Sequence, residues 1–186
     1  MFDLDRFVAD CRAALREKLA QRAVRETVAR AVADPAAVIG ALGEPKRGEI
    51  VRLHHSAELT VLNVLWAPHF MVMPHNHGMW AVIGVYAGRE DNIFWRRAKG
   101  AAGGRIEAAS VQSLGVKDAV LLGRDIIHSV VNPIPRVTGA IHVYGGDFFA
   151  APRSEWDSET LCEGPFDMQR QMRRFEEANA LPARTR

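Results

Sequence analysis

Cysteine is nearly absent from this sequence. The 186 residues include only Cys11 and Cys162, which lie far apart and form no CxxC pair or regular series. This pattern excludes a disulfide-rich secreted scaffold, and two isolated cysteines are typical of free thiols in a reducing compartment. We therefore expect free thiols rather than a disulfide between the two.

Long hydrophobic runs and a strong net charge are also missing. The longest apolar runs, such as LTVLNVLWAP, are well short of the ~20 residues that span a bilayer. The first residues, MFDLDRFVAD, contain acids early and lack the apolar core of a secretory signal. The net charge is +2, and the arginines are interspersed with acids rather than clustered. We expect a cytoplasmic protein that binds neither membrane nor nucleic acid.

What the sequence does contain is the composition of one ordinary globular domain with a substantial core, 48% hydrophobic and 25% charged. Residues 1–45 form the first of three segments. Apolar residues recur there at helical spacing over residues 4–33, and Asp34 and Pro35 suit the N-cap and first position of another helix. We expect this segment to pack on the rest of the domain, although a partner-binding face is the alternative.

Residues 46–153 have a different pattern, in which short β-rich runs are separated by Gly, Pro, Asn and Asp. Successive strands without intervening helices predict an all-β barrel or sandwich. Residues 154–186 form a polar tail with a predicted surface helix over residues 167–180. The predicted fold is therefore mainly β, with helices before the barrel and one after it.

Two histidines stand one residue apart in MVMPHNHGMW, and we predict that they bind a metal. Alternate residues of a strand point to the same face, which would bring His75 and His77 together. Two buried imidazoles without partners are costly, and neutral imidazole is a common metal ligand. The third ligand is expected to be His128, because a Gly-Arg-Asp turn and an apolar strand would hold it rigidly. The less favoured candidates are His54, His55, His69 and His142, and buried structural histidines are the alternative to a metal site.

These histidines carry a resemblance to the cupin family, whose fold is the double-stranded β-helix. The first cupin motif is matched by His75, His77 and Gly88, and the second by the H-x-x-x-N of His128 and Asn132. The Glu of the first motif is replaced here by Ala81. Within the family, a site of three histidines without Glu is similar to that of the cysteine dioxygenase-like thiol dioxygenases. The resemblance covers roughly residues 53–153.

Further residues agree with this resemblance or depart from it. Trp66 precedes His75 by nine residues, as in that family, and AIHVYGG is similar to its Ser-x-His-x-Tyr strand, with His142 and Tyr144 in the matching places. Ala140 replaces the Ser, which shortens the expected relay through His142 to Tyr144. Val82 stands where animal-type enzymes have a cysteine cross-linked to the tyrosine, so that no cross-link is expected.

The substrate-binding residues are less well matched. The family's early Tyr-x-Arg has no counterpart near LHHSAEL, whereas Arg153 follows Tyr144 by nine residues and matches the carboxylate-binding Arg of some bacterial members. A solvent-exposed arginine is the alternative. Trp80 is predicted to line the pocket, with barrel packing as its alternative. Glu90, in GREDN, is expected to begin a charged turn, the alternative being a place at the mouth of the site.

The resemblance implies a non-haem Fe(II) dioxygenase that adds O₂ to the sulfur of a small thiol, not necessarily cysteine, and gives a sulfinate. Tyr144 would donate a hydrogen bond to the oxygen or the substrate, and His142 would orient it. Zn or Ni are possible occupants of the purified protein. The alternatives are a non-catalytic metal-binding sensor and a cupin dioxygenase acting on a non-thiol chelating substrate. A homodimer is also expected.

Overall fold

The chain begins with three helices. In the computed structural model, which describes residues 1–180, Asp3 and Asp34 cap two of them by accepting hydrogen bonds from backbone N–H groups three residues later. These caps satisfy amide groups that the first helical turn leaves unpaired. None of the helices in the described part of the chain is long and apolar enough to cross a membrane. The bounds are α1 Leu4–Ala14, α2 Ala20–Val32 and α3 Pro35–Leu42.

Eleven strands follow within the described residues and form two antiparallel sheets. The strand bounds are β1 Glu49–His55, β2 Thr60–Trp66, β3 Met71–His75, β4 Ala81–Ala87, β5 Arg89–Arg97, β6 Ile106–Gly115, β7 Ala119–Leu122, β8 Ile127–Val131, β9 Thr138–Tyr144, β10 Ser154–Trp156 and β11 Glu163–Pro165. Sheet A has the order β1-β2-β9-β4-β7, and sheet B has the order β11-β10-β3-β8-β5-β6.

The path of the chain between the sheets identifies the architecture. From β2 to β5, and again from β6 to β10, consecutive strands alternate between sheets A and B. Two such runs wound together make a double-stranded β-helix. The prediction of a mainly β fold of this kind, with N-terminal helices and a C-terminal helix, is confirmed.

Sheet A separates two apolar clusters, because alternate residues of its strands face opposite sides. Leu62, Ile83 and Ala140 face the interior of the barrel, whereas Ile141 and Val143 face the N-terminal helices. Gly84 is the residue of β4 at which α2 crosses the strand. A Cβ there would stand 2.4 Å from Val28 Cγ1, so glycine is what allows the helix to approach the sheet closely.

The C-terminal helix α4, Met168–Ala180, is part of the barrel core as well as of the surface. Its Phe175 is buried and stacks on Trp66 with the ring centroids 5.6 Å apart. Two hydrogen bonds of 2.7 Å between Asn179 and the backbone of Gly48 hold the end of the helix beside β1. The predicted surface helix is therefore present and mostly exposed, and its buried Phe175 closes one side of the barrel.

Candidate metal centre

His75 enters the barrel through an irregularity in β3. The pairing of β3 with β8 shifts register between Val72 and His75, over the segment that contains Pro74. Such a bulge adds a residue to one strand and turns the following side chain to the other face, and proline is tolerated there because no ladder hydrogen bond is needed. His75 therefore faces the interior, as Val72 does, and its backbone pairs with that of His128.

The position of His77 differs from the expectation. Strand β3 ends at His75, so the two histidines are not neighbours on one strand face. His77 lies in the turn that follows, where Gly78 has a positive φ of 66°. The turn nevertheless brings the His77 ring to 5.1 Å from the His75 ring, measured between centroids. The convergence of the pair is confirmed, but the strand argument for it is wrong.

His128 lies one residue after the start of β8 and is buried. Its Nδ1 lies 2.7 Å from Asn92 Oδ1, and its Nε2 lies 3.3 Å from His77 Nε2. Asn132, four residues later, donates to the backbone carbonyls of Trp66, Ala67 and Arg136 and so fixes the end of the strand. The two residues of the H-x-x-x-N motif thus serve different purposes, one at the site and one in its support.

The three rings form a compact group of donors. One ring nitrogen from each of His75, His77 and His128 can be chosen so that all lie within 4.8 Å of one another, and all three residues are buried. His75 directs Nδ1 to the Met73 carbonyl at 2.9 Å, and His128 directs Nδ1 to Asn92, so both leave Nε2 for a ligand. Three neutral imidazoles in this arrangement suit Zn, Cu, Fe or Ni. The residues present therefore fit a bound metal ion.

Burial keeps these histidines neutral. It lowers the pKa of His75 from the ordinary 6.5 to about 4, and the charge of Arg153 adds to the effect. The pKa values of His77 and His128 are also held well below 6.5, by burial first and then by neighbouring histidines. Neutral rings are the form that binds a metal, so the site is ready for one at neutral pH.

Acid is expected to destabilise the metal-free protein through His75. Its pKa is lower in the folded chain than in the unfolded one, so the unfolded chain binds the proton first. The contribution of His75 to the free energy of unfolding is complete above pH 6.5 and is lost as the pH falls towards about 4. The difference between the two pKa values makes this loss roughly 3 kcal/mol. Urea unfolding at several pH values should show a loss smaller by about that amount in His75→Gln. An unchanged pH dependence in the variant would contradict the assignment.

The remaining histidines considered as third ligand lie elsewhere. His55 Nε2 is 2.8 Å from Asp147 Oδ1 at a partly exposed position, and His69 occupies a turn with a positive φ of 57°. His54 precedes His55 on β1, and burial lowers the pKa of its ring. His142 faces the interior from β9 without joining the group of three.

A second polar group extends from His128 across the interior. His142 Nδ1 lies 3.1 Å from the Tyr144 hydroxyl, and its Nε2 lies 3.5 Å from Glu90 Oε2. Glu90 is fully buried and accepts hydrogen bonds from Trp66 Nε1 at 2.7 Å and Asn92 Nδ2 at 3.0 Å. The expectation of a charged surface turn at Glu90 is therefore wrong.

Ala140 stands at the position for which the sequence resemblance implies a serine. Ala140 is buried on the inner face of β9 and offers no hydroxyl. The carboxylate of Glu90, from β5 on the opposite sheet, approaches His142 instead. The polar chain beyond Tyr144 is thus extended to a carboxylate rather than shortened.

A small pocket lies between the three-histidine group and Arg153. Its volume is about 40 Å³. The polar side chains that line it include those of His75, His77, Tyr144 and Arg153. The other lining residues come mainly from the barrel interior and from the chain around α4: Ile50, Leu62, Val64, Trp66, Val72, Phe148, Phe166, Met168 and Gln171.

Arg153 is held between two aromatic rings. Its guanidinium carbon lies 3.9 Å from the centroid of Phe148 and 4.4 Å from that of Phe166. Burial lowers its pKa. Its Nη1 is buried and finds no hydrogen-bond partner within residues 1–180. An unpaired buried donor is costly, which favours an acceptor supplied by a ligand. The structure thus places Arg153 at the pocket and not in solvent.

Trp80 does not line this pocket, and that prediction is wrong. The ring packs with the outer apolar cluster beside the N-terminal helices. A Cβ on Gly145 would lie 1.9 Å from Trp80 Cε2, which shows how closely the indole covers the neighbouring strand end. Trp80 immediately precedes β4, whose alternate residues face outward, and this parity accounts for its direction.

Sequence reasoning missed the contribution of the C-terminal segment to the pocket. Phe166, Met168 and Gln171 form part of its wall, although they follow the predicted barrel. The apolar residues in a largely polar segment, DMQRQMRRF, are the one available signal. They identify a buried helix face but not the surface that it covers.

Several solved structures resemble this chain at low identity. An RmlC-like cupin family protein with a double-stranded β-helix fold from Methanocaldococcus jannaschii has a TM-score of 0.46 at 8% identity, over 56% of this chain and 84% of that one. A protein with a double-stranded β-helix domain from Klebsiella pneumoniae has a TM-score of 0.45 at 16% identity, over 63% of this chain and 87% of that one. An oxalate oxidase has a TM-score of 0.42 at 12% identity, over 55% and 53%.

No protein-family model matches the sequence, and no curated protein matches it.

Proposed function

We propose that the protein is a metal-dependent dioxygenase that adds both atoms of O₂ to the sulfur of a small thiol carrying an acidic group. The observation that supports this most directly is a group of three buried, neutral histidines, of which His75 and His77 line a small pocket that Arg153 also lines, with a buried Nη1 that has no hydrogen-bond partner among the described residues. The histidines are suited to a metal ion, and the arginine is suited to an anion. A substrate of a few atoms can contact both.

The proposed metal is Fe(II). His75, His77 and His128 would hold it through neutral ring nitrogens, and the bound ion would supply the positive charge that favours the thiolate form of a thiol. The overall step is balanced as RS⁻ + O₂ → RSO₂⁻. Two S–O bonds form and the O–O bond breaks, with sulfur supplying the four electrons that reduce O₂. No other reductant is needed.

The protein itself binds and orients the substrate. Arg153 presents two-pronged N–H donors to a carboxylate or similar anion, while Phe148 and Phe166 keep its guanidinium in place. Apolar walls exclude bulk water and strengthen this attraction. None of the described pocket-lining residues is acidic, so an ammonium group on the substrate would find no carboxylate there.

Tyr144 lies between the three-histidine group and the hydrogen-bonded pair of His142 and Glu90. Its ring lies 5.1 Å from the His77 ring and 4.3 Å from the Phe148 ring, measured between centroids. Burial raises the pKa of its hydroxyl, so the phenol stays protonated. It can therefore hold a hydrogen bond in the pocket without carrying charge.

Oxygen consumption by the iron-loaded protein tests the proposal. The panel should vary charge at similar size: 3-mercaptopropionate, cysteine, cysteamine and 2-mercaptoethanol. We expect uptake with the anionic thiols, one O₂ consumed per sulfinate formed, and little uptake with cysteamine. Protein that holds iron but consumes no O₂ with any thiol would contradict thiol oxidation and leave a chelating non-thiol substrate or a sensor.

A further inference from the structure

We propose that Glu90 is the positioning residue of this site. Its carboxylate determines which ring nitrogen His128 presents to the metal and which ring nitrogen His142 turns to Tyr144. The inference rests on the proposed metal centre, but it does not depend on the substrate being a thiol.

The argument begins with the burial of the carboxylate. Glu90 is 0% exposed, and a buried charge is tolerated only when hydrogen-bond donors surround it. Trp66 Nε1 donates to one oxygen and Asn92 Nδ2 to the other. Burial alone would raise the pKa of the Glu90 carboxyl, but His142, Trp66 and Asn92 together hold it below its ordinary value. Glu90 is therefore a fixed acceptor inside the barrel.

A fixed acceptor determines the direction of the Asn92 amide. Only the NH₂ group can face a carboxylate, because an ionised carboxylate has no proton to donate. The other end of the amide, Oδ1, must then face His128 Nδ1 at 2.7 Å. Oδ1 is an acceptor only, so the proton of the neutral His128 ring is on Nδ1. Its Nε2 is left with a free lone pair beside His75 and His77, which is the form that binds a metal.

The same carboxylate acts on His142 from the other side. His142 Nε2 lies 3.5 Å from Glu90 Oε2 and has no closer hydrogen-bond partner among the described residues. A proton on Nε2 is attracted to the carboxylate, which leaves Nδ1 of the neutral ring as an acceptor. The Tyr144 hydroxyl, 3.1 Å away, then donates to it. Tyr144 would thus offer a lone pair to the pocket, in contrast with the donor role that the family resemblance implies.

Within residues 1–180, Glu90 is the carboxylate that contacts both branches, and this makes Glu90→Gln an informative substitution. The side chain keeps its shape but loses one acceptor, so Trp66 and Asn92 can no longer both donate to it. We expect the Asn92 amide to turn round to accept from the new NH₂ group, which moves the His128 proton to Nε2.

Two measurements follow on the purified full chain. Nitrogen-15 NMR of the imidazole rings in the metal-free protein reports which nitrogen is protonated, and competition with a chromogenic chelator reports Zn²⁺ affinity. The wild type should show His128 protonated on Nδ1 and His142 on Nε2. Glu90→Gln should move the His128 proton to Nε2 and bind Zn²⁺ about 10–100-fold more weakly, and it should weaken the His142 preference, because a neutral amide oxygen replaces the carboxylate oxygen beside Nε2.

Tyr86→Phe is the matched control. Tyr86 donates a buried hydrogen bond of 2.8 Å to Asn63 on the outer side of sheet A, so its loss removes a similar contact away from the site. We expect unchanged Zn²⁺ affinity and unchanged protonation of His128 and His142. A comparable loss of Zn²⁺ affinity in this control would show that general destabilisation explains the Glu90 result, and would overturn the proposal.

A second variant covers the case in which Glu90→Gln does not fold. Asn92→Leu breaks only the branch to His128, so Zn²⁺ affinity should fall while His142 stays protonated on Nε2. The proposal is overturned if either variant keeps the wild-type Zn²⁺ affinity and His128 protonation. If the wild type binds no metal, the proposed function fails, but the NMR result for His128 still decides the role of Glu90.

Discussion

His128→Ala is expected to abolish metal binding and, with it, oxygen consumption. His128 supplies one of three nitrogens in the group and is fully surrounded by protein. Loss of a partner that only supports a ligand commonly costs 10–100-fold in metal affinity, so removing the ligand itself should cost more than about 100-fold. Alanine removes the Nε2 lone pair that would bind the metal and offers no other ligand atom in its place.

The measurement is metal content after iron loading and desalting, followed by oxygen uptake with an anionic thiol. The wild type should retain about one ion per chain and the variant almost none. His55→Ala is the control, since His55 is partly exposed and contacts Asp147 away from the pocket. Stoichiometric, tightly bound iron in His128→Ala would show that the ligand assignment is wrong.

Much of this centre could be predicted from the sequence, because its elements are local. The His-x-His pair, the strand start at His128 and the alternation of apolar residues are each contained in a short stretch. Period-two patterning predicted the strands, since only one face of each can be buried against the barrel interior. The N-cap at Asp34 and the helix after it could be predicted for the same local reason.

The failures concern residues whose environment comes from distant parts of the chain. GREDN resembles a turn in isolation, yet Glu90 is buried because Trp66 from β2 and His142 from β9 meet it across the interior. The bulge before His75 was also invisible, because a register shift depends on the partner strand β8. Trp80 was misplaced because its side of the sheet depends on where β4 begins.

If the proposed function is correct, Arg153→Met is expected to lower activity with anionic thiols selectively. The methionine side chain preserves apolar packing between Phe148 and Phe166 but removes the charge and the N–H donors. A hydrogen bond to a charged group contributes about 1.5–3 kcal/mol, so kcat/KM for 3-mercaptopropionate should fall roughly 100-fold. Because Arg153 Nη1 has no partner within the described residues, the substitution should not destabilise the fold.

The contrast between two substrates gives this prediction its force. 2-Mercaptoethanol has no anion to bind, so its slow oxidation should be almost unchanged in Arg153→Met, and the metal content should equal that of the wild type. Arg153→Lys restores the charge without the planar fork and should recover only part of the lost kcat/KM. An equal fall for both thiols would mean that Arg153 maintains the shape of the pocket. A selective fall would identify Arg153 as the group that recognises the acidic end of the substrate. The length of the preferred thiol would then measure the distance between Arg153 and the three histidines.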